Sequence, residues 1–167
     1  MSDLYKEILV KPDHGSADSL KKGLVIAGTV LVCAAGILIH PLILLAGAIL
    51  IFLDYMFILP RFDVEYEYLY VNGDIDIDVI YSKMKRKRMA SFEKANLLLM
   101  APTGSDHLTD YRQKDIKLTD YSSMNPKEKT WTLYYGDEKS TSGVILSLPD
   151  EIASDMRRYA PRQVFLQ

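Results

Sequence analysis

Three aspartates alternate with isoleucines in Asp74-Ile75-Asp76-Ile77-Asp78, and spaced carboxylates are the raw material of a calcium loop. Such a loop needs a glycine at its sixth position and a glutamate at its twelfth. Val79 stands where the glycine should be. Isoleucines in the gaps fit a strand with one wet face instead. Ser105, Asp106 and His107 carry the residue types of a hydrolytic triad, but they are adjacent. Triad members converge from distant segments. The stretch APTGS, residues 101–105, lacks the lysine and the glycine spacing of a phosphate loop. The histidines are His14, His40 and His107, and two of them lie outside the globular block. The sequence therefore offers no catalytic residues, no metal site and no cofactor site, and the chain is expected not to be an enzyme.

The strongest chemical signal is electrostatic. The run YSKMKRKRMASF, residues 81–92, holds Lys83, Lys85, Arg86, Lys87 and Arg88, out of 20 Lys and Arg in the chain. The net charge is nonetheless −2, which argues against a nucleic-acid binder, whose domain would be basic. Three readings remain for the run. It balances acids within the fold, it meets anionic lipid, or it meets an acidic protein partner. Choosing among them requires the elements that place these side chains.

Residues 23–59 form a nearly unbroken apolar block in which only Asp54 is charged. The block is about twice as long as the roughly twenty residues that one bilayer-spanning helix needs. His40-Pro41 interrupts it, because proline lacks a donor and disfavours helix at the residue before it. Two spans are predicted, about 22–39 and 42–60, within a transmembrane hairpin over 21–60. Both are short for spanning, so a re-entrant hairpin stays open. Lys21, Lys22 and Arg61 flank the block and the turn carries no cation. The excess of cations on the cytoplasmic side then puts both termini in the cytoplasm and His40 outside, in a two-span protein of the cell membrane. Gly23, Gly28, Gly36 and Gly47 would let the helices approach closely. Asp54, about 10 Å before Arg61 along a helix, reads as an interfacial carboxylate. Cys33 is the only cysteine, so no intrachain disulfide forms. Residues 1–20 mix charges with Pro12 and Gly15 and read as a flexible or peripheral arm.

From Asp63 the pattern switches to period two. In DVEYEYLYVNGDIDIDVIY, Asn72-Gly73 is a hairpin turn. It sets Tyr66, Tyr68, Tyr70, Ile75, Ile77 and Val79 on a core face, and Glu65, Glu67, Asp74, Asp76 and Asp78 on an acidic face. Like charges across a sheet repel, so a neighbouring basic strand is the expected relief. A two-residue turn at Ser82-Lys83 would set Lys83, Lys85 and Lys87 against the acids. It would leave Arg86 and Arg88 on the core side with Ala90 and Phe92. A register one residue off makes the lysines the unexplained set. Strands are predicted at 95–100, 116–121, 130–135 and 142–148, with a turn at Gly136–Ser140. A helix is predicted at 149–159, with Ser147 and Asp150 as its capping box and Ile152, Met156 and Tyr159 as its apolar stripe.

This order of elements, with the ending RRYAPRQVFL, resembles the pleckstrin-homology-like (PH-like) barrels of bacterial membrane proteins over 62–167. DLYKEILVK, FDVEYEYLYVNGDIDID, YSKMKRKR, APTGS and MRRYAPRQVF resemble a family of small uncharacterised bacterial membrane proteins, a domain of unknown function. The resemblance implies a membrane-anchored α+β fold. A two-helix hairpin would precede a seven-stranded antiparallel PH-like barrel or sandwich, capped by the C-terminal helix. Phosphoinositide-binding PH domains use a long basic first loop, whereas this one is Asn72-Gly73 beside acid. The expected function is a non-enzymatic interaction module at the cytoplasmic face, with the bilayer and a protein partner but no nucleic acid. The alternatives are an accessory subunit of a larger membrane complex, or a binder of anionic lipid or a small ligand. The candidate contact residues are Arg86, Arg88, Lys85, Lys87, Arg157 and Arg158.

Overall fold

The computed structural model describes residues 4–13, 15–114, 116–136 and 140–167. The chain divides into two compact units, a β domain and an apolar helical hairpin that also takes in the Tyr81–Lys85 turn.

In the hairpin, α1 spans Gly15–Leu38 and α2 spans Pro41–Leu53. His40 explains the break between them. Its Nδ1 accepts the Leu42 N–H at 3.2 Å and so caps α2, while Pro41 occupies the first turn, where its missing donor costs nothing. Helical geometry continues through one π turn, Asp54–Ile58, and one 3₁₀ turn, Leu59–Phe62. Two stretches, Asp18–Leu38 and Pro41–Phe62, are long and apolar enough to cross a membrane. Two of the four glycines bring the helices together. A Cβ on Gly36 would lie 2.4 Å from the Leu44 backbone nitrogen, and one on Gly47 would lie 2.7 Å from Cys33 Sγ. Gly23 and Gly28 have open space at that position. Asp54 is buried and accepts a hydrogen bond from the Thr29 hydroxyl on the facing helix. The π turn begins at this residue, one of the rare single wide turns that occur within helices.

Among the described residues the β domain holds eight strands in two four-stranded sheets, not a closed seven-stranded antiparallel barrel. The first sheet runs β1 (Tyr5–Val10), β2 (Val64–Val71), β3 (Asp74–Tyr81), β4 (Lys85–Phe92). The eighth strand is β1, within the segment read as an arm. It pairs antiparallel with β2, Ile8 opposite Tyr68 and Val10 opposite Tyr66. The second sheet is ordered β5 (Leu97–Pro102), β7 (Trp131–Gly136), β8 (Thr141–Leu146), β6 (Leu118–Asp120). Here β6 runs parallel to β8, Leu118 opposite Gly143. The predicted Gly136–Ser140 turn lies mostly outside the described residues.

Side-chain alternation builds the core. Tyr68, Tyr70, Ile75, Ile77 and Val79 are buried, as period two requires. Trp131, Leu133 and Tyr135 join them from β7. The opposite face of β7 is also covered. Tyr134 packs with Leu99, Ala101 and Leu108, and its ring stacks on Tyr111 of α3 (Thr109–Gln113), centroids 4.6 Å apart. Helix α4 (Asp150–Tyr159) buries Ile152, Ala153 and Met156 against the core, while Tyr159 stays part-exposed. The predicted capping box does not form. Pro149 occupies the N-cap without a side-chain bond, and Ser147 Oγ instead accepts the Ser123 N–H at 3.0 Å. Buried Asp155 accepts the Tyr70 hydroxyl at 2.7 Å, pinning α4 to β2.

Burial pushes the Tyr68 and Tyr135 hydroxyls well above the usual tyrosine range. The neutral form is thus favoured in the fold. Their contribution to stability is fully present below pH 10, the ordinary value, and is lost as pH rises through the raised one. Alkaline titration should leave both unionised until the domain unfolds. A smooth release of every tyrosine near pH 10 with the fold intact would contradict this packing, and ultraviolet difference spectra read it directly.

Candidate interaction surface

The acidic face of the first sheet is largely covered rather than wet. Asp78 has a side chain only 7% exposed, and both arginines of the basic strand close over it. Arg86 donates through Nε to Asp78 Oδ2 at 2.7 Å and pairs also with Glu67. Arg88 donates through Nε to Asp78 Oδ1 at 2.9 Å, with Nη1 at 2.8 Å from Asp76. Glu67 lies on β2, two strands from β4, so the Arg86 guanidinium must cross the acidic face to reach it.

This reverses the expected register. The turn itself is where the sequence puts it. Ser82 and Lys83 take φ of +46° and +57°, and the Met84 N–H donates to Tyr81 O at 3.0 Å. Strand β4, however, begins at Lys85 rather than Met84, so the connection from Tyr81 has three residues and the facing of the strand shifts by one position. Alternation then breaks a second time. Arg86 and Arg88 face the acids, yet Ala90 and Phe92, also even-numbered, pack on the core. The facing of the even-numbered side chains therefore changes between Arg88 and Ala90.

Lys83, Lys85 and Lys87 are therefore the cations left outward, all exposed and without an ion-pair partner among the described residues. On α4, Arg157 is exposed, and Arg158 pairs with Asp155 at 3.6 Å. These two belong to a different place. Neighbouring Tyr159 reaches Asn72, at the opposite end of β3 from the Ser82 turn. The six candidate residues thus divide into an internally paired couple, an outward lysine edge and a separate helical pair. Lys94 joins the helical group, with its ammonium 4.7 Å from the Tyr159 ring centroid and its Nζ donating to Asn72 O at 2.8 Å.

The other chemical motifs are taken up by the fold. Asp74 accepts the Lys94 N–H at 2.8 Å, and Asp76 accepts the Ser91 hydroxyl. Ser105 caps a short turn by accepting the His107 N–H, and the His107 ring stacks on Phe165, centroids 4.0 Å apart. No group of three or more His, Cys, Asp or Glu among the described residues is placed to hold a metal ion. An open groove of about 580 Å³ runs between Ile8–Lys11 and Ser147–Asp150. Another of about 400 Å³ lies between Pro102–Thr103 and Ser122–Pro126.

Two four-stranded sheets with a C-terminal helix packed on their core make an α+β fold, and the bacterial PH-like domain family DUF6106 matches residues 2–166. The chain belongs to that family. Its match includes the apolar hairpin and strand β1 as well as the sheets. No curated protein and no solved structure matches this PH-like chain.

Proposed function

We propose that the chain is an integral membrane protein whose hairpin crosses the cell membrane twice. The PH-like domain and both termini then lie in the cytoplasm, and the domain serves as a non-enzymatic interaction module for a protein partner. The observation that carries this reading is the uncovered apolar surface of the hairpin. Only 6% and 11% of its two most apolar stretches are buried. Leu24, Val30, Leu31, Ile37, Leu42 and Phe52 are all exposed. Water would not tolerate a surface of that extent, whereas lipid would cover it. The cations Lys22 and Arg61 stand at one end and His40 caps the other, matching a cationic cytoplasmic side.

The test is labelling from outside intact cells with a membrane-impermeant maleimide, using His40→Cys in a Cys33→Ser background. Position 40 should label and a cysteine at Lys127 should label only after lysis. Protection at position 40 would mean a re-entrant or inverted hairpin.

A second reading, an accessory subunit of a larger membrane complex, draws on Gly23 and Gly28. The hairpin's own packing leaves both open, so another helix could approach there. Solubilisation of native membranes in mild detergent separates the two, because an accessory subunit migrates with its complex and a solitary module at its own mass.

A further inference from the structure

We infer that the turn from Ser82 to Lys85 docks on the anionic phospholipid headgroups at the cytoplasmic end of the hairpin. This rests on the reading that the hairpin spans the bilayer.

Position comes first. The Ser82 N–H donates to Asp63 O at 2.7 Å. Asp63 is the residue directly after the apolar stretch Pro41–Phe62. A hydrogen bond thus holds the turn level with the point where the apolar helix stops, which is the depth of the headgroups. Thr29 faces Asp54, and continuing that pairing brings Lys22 level with Arg61 at the same end. The turn and the helix ends together form one cationic rim.

Composition comes second. Met84 is 72% exposed and stands between two exposed lysines that pair with no carboxylate among the described residues. An apolar side chain flanked by long cationic ones suits an interface. The thioether enters the acyl boundary while the ammonium groups reach back to phosphate. The division between cation types supports lipid over a protein partner. The arginines, whose rigid forks fit carboxylates, are committed to Asp76, Asp78 and Glu67. What remains outward is lysine, a compact charge on a flexible stem that suits mobile phosphates.

Conformation comes third. Ser82 and Lys83 both sit in the left-handed region, with φ of +46° and +57°. Glycine or asparagine would sit there without strain. Non-glycine residues held in that region cluster at functional positions. Here the strain projects Lys83 and Met84 outward at the tip.

The full chain in nanodiscs tests this. Met84→Cys in a Cys33→Ser background carries an environment-sensitive fluorophore, and doxyl-labelled lipid reports contact. Quenching should be strong with phosphatidylglycerol present and weak in phosphatidylcholine alone. Lys83→Gln and Lys85→Gln should each lower the docked-to-free ratio about fivefold, the value of one interfacial cation. Unchanged thermal melts would show that these variants stay folded. A fluorophore at position 31, inside the hairpin, separates the two levels of the argument. Quenching there without quenching at 84 overturns the docking and leaves the anchor standing. No quenching at either position overturns both. A probe at 84 that is shielded from water, unquenched by lipid and indifferent to phosphatidylglycerol marks a protein contact and overturns the lipid assignment.

Discussion

Removing both guanidinium groups, Arg86→Ala with Arg88→Ala, should destabilise the domain by about 3 kcal/mol, the cost of leaving a nearly buried carboxylate unpaired, and either change alone by much less. The asymmetry follows from a shared partner. The two Nε atoms bind different oxygens of Asp78, at 2.7 and 2.9 Å. With one arginine gone, the other still faces that carboxylate. With both gone, a nearly buried charge is stranded beside Glu67 and Asp76, and the cost of an unpaired buried ion appears. Because each arginine side chain is itself about half exposed, 49% and 53%, water softens the single losses. Adding Asp78→Asn to the double variant should recover about 1 kcal/mol, since the stranded charge disappears. Lys85→Ala and Lys87→Ala should stay within about 0.5 kcal/mol of the parent, as unpaired surface residues do. Chemical unfolding followed by the fluorescence of Trp131, the sole tryptophan and fully buried, reads all of these. A double variant as stable as the parent would return the arginines to the pool of partner-binding residues.

That network also marks where sequence reasoning reached and where it stopped. An acidic ladder relieved by a basic strand follows from Glu67 and Asp78 sharing one face, and period two supplies that. Which cations do the relieving depends on two irregularities, the three-residue connection before Lys85 and the change of facing before Ala90, and alternation cannot foresee either. A chemical signal did exist in the sequence. Arginine fits a half-buried carboxylate better than lysine does, so Arg86 and Arg88 were the natural mates of the aspartates whatever the register. Strand β1 failed for another reason. Tyr5–Val10 has the β-forming residues Tyr5, Ile8 and Val10 and ends before Pro12, but its partner lies beyond the whole hairpin. Pairing over such a distance is decided by the assembled sheet, not by the segment. The parallel docking of β6 on β8 is of the same kind.

The hairpin was more legible, because its constraints are local. Proline after His40 dictates the turn, and the length of apolar sequence dictates two helices. Less visible was the selection among the glycines, since only the packed helix pair shows that Gly36 and Gly47 face across while Gly23 and Gly28 do not. Thr29 went unnoticed as the mate of Asp54 because the two meet only after the turn closes. Read as a pair, they make Asp54 a fastener between helices. This is an ordinary solution for a carboxyl group that must leave water.

Gly36→Leu should open the hairpin. The new Cβ would fall 2.4 and 2.5 Å from the Leu44 backbone nitrogen and Cα, atoms that no rotamer change can move aside. Overpacking of this sort costs about 1–3 kcal/mol in a tight core. In the membrane-spanning arrangement proposed above, no hydrophobic force would draw the partners back, because lipid is as apolar as leucine. The overlap lies close to the turn at His40, so a small separation there becomes a larger one at the other end. Thr29 and Asp54 would part, leaving Asp54 without its hydroxyl donor in an apolar setting. Spin labels at Leu31 and Phe52, both exposed and on facing helices, should show one narrow distance in the parent and a longer or broader distribution in Gly36→Leu. Gly28→Leu, where nothing lies within 4 Å of the added carbon, should leave the distance as it was. Equal distributions for both variants would mean that the helices do not touch at Gly36. A changed Gly36 variant beside an unchanged Gly28 variant would place the hairpin's close approach at its turn end.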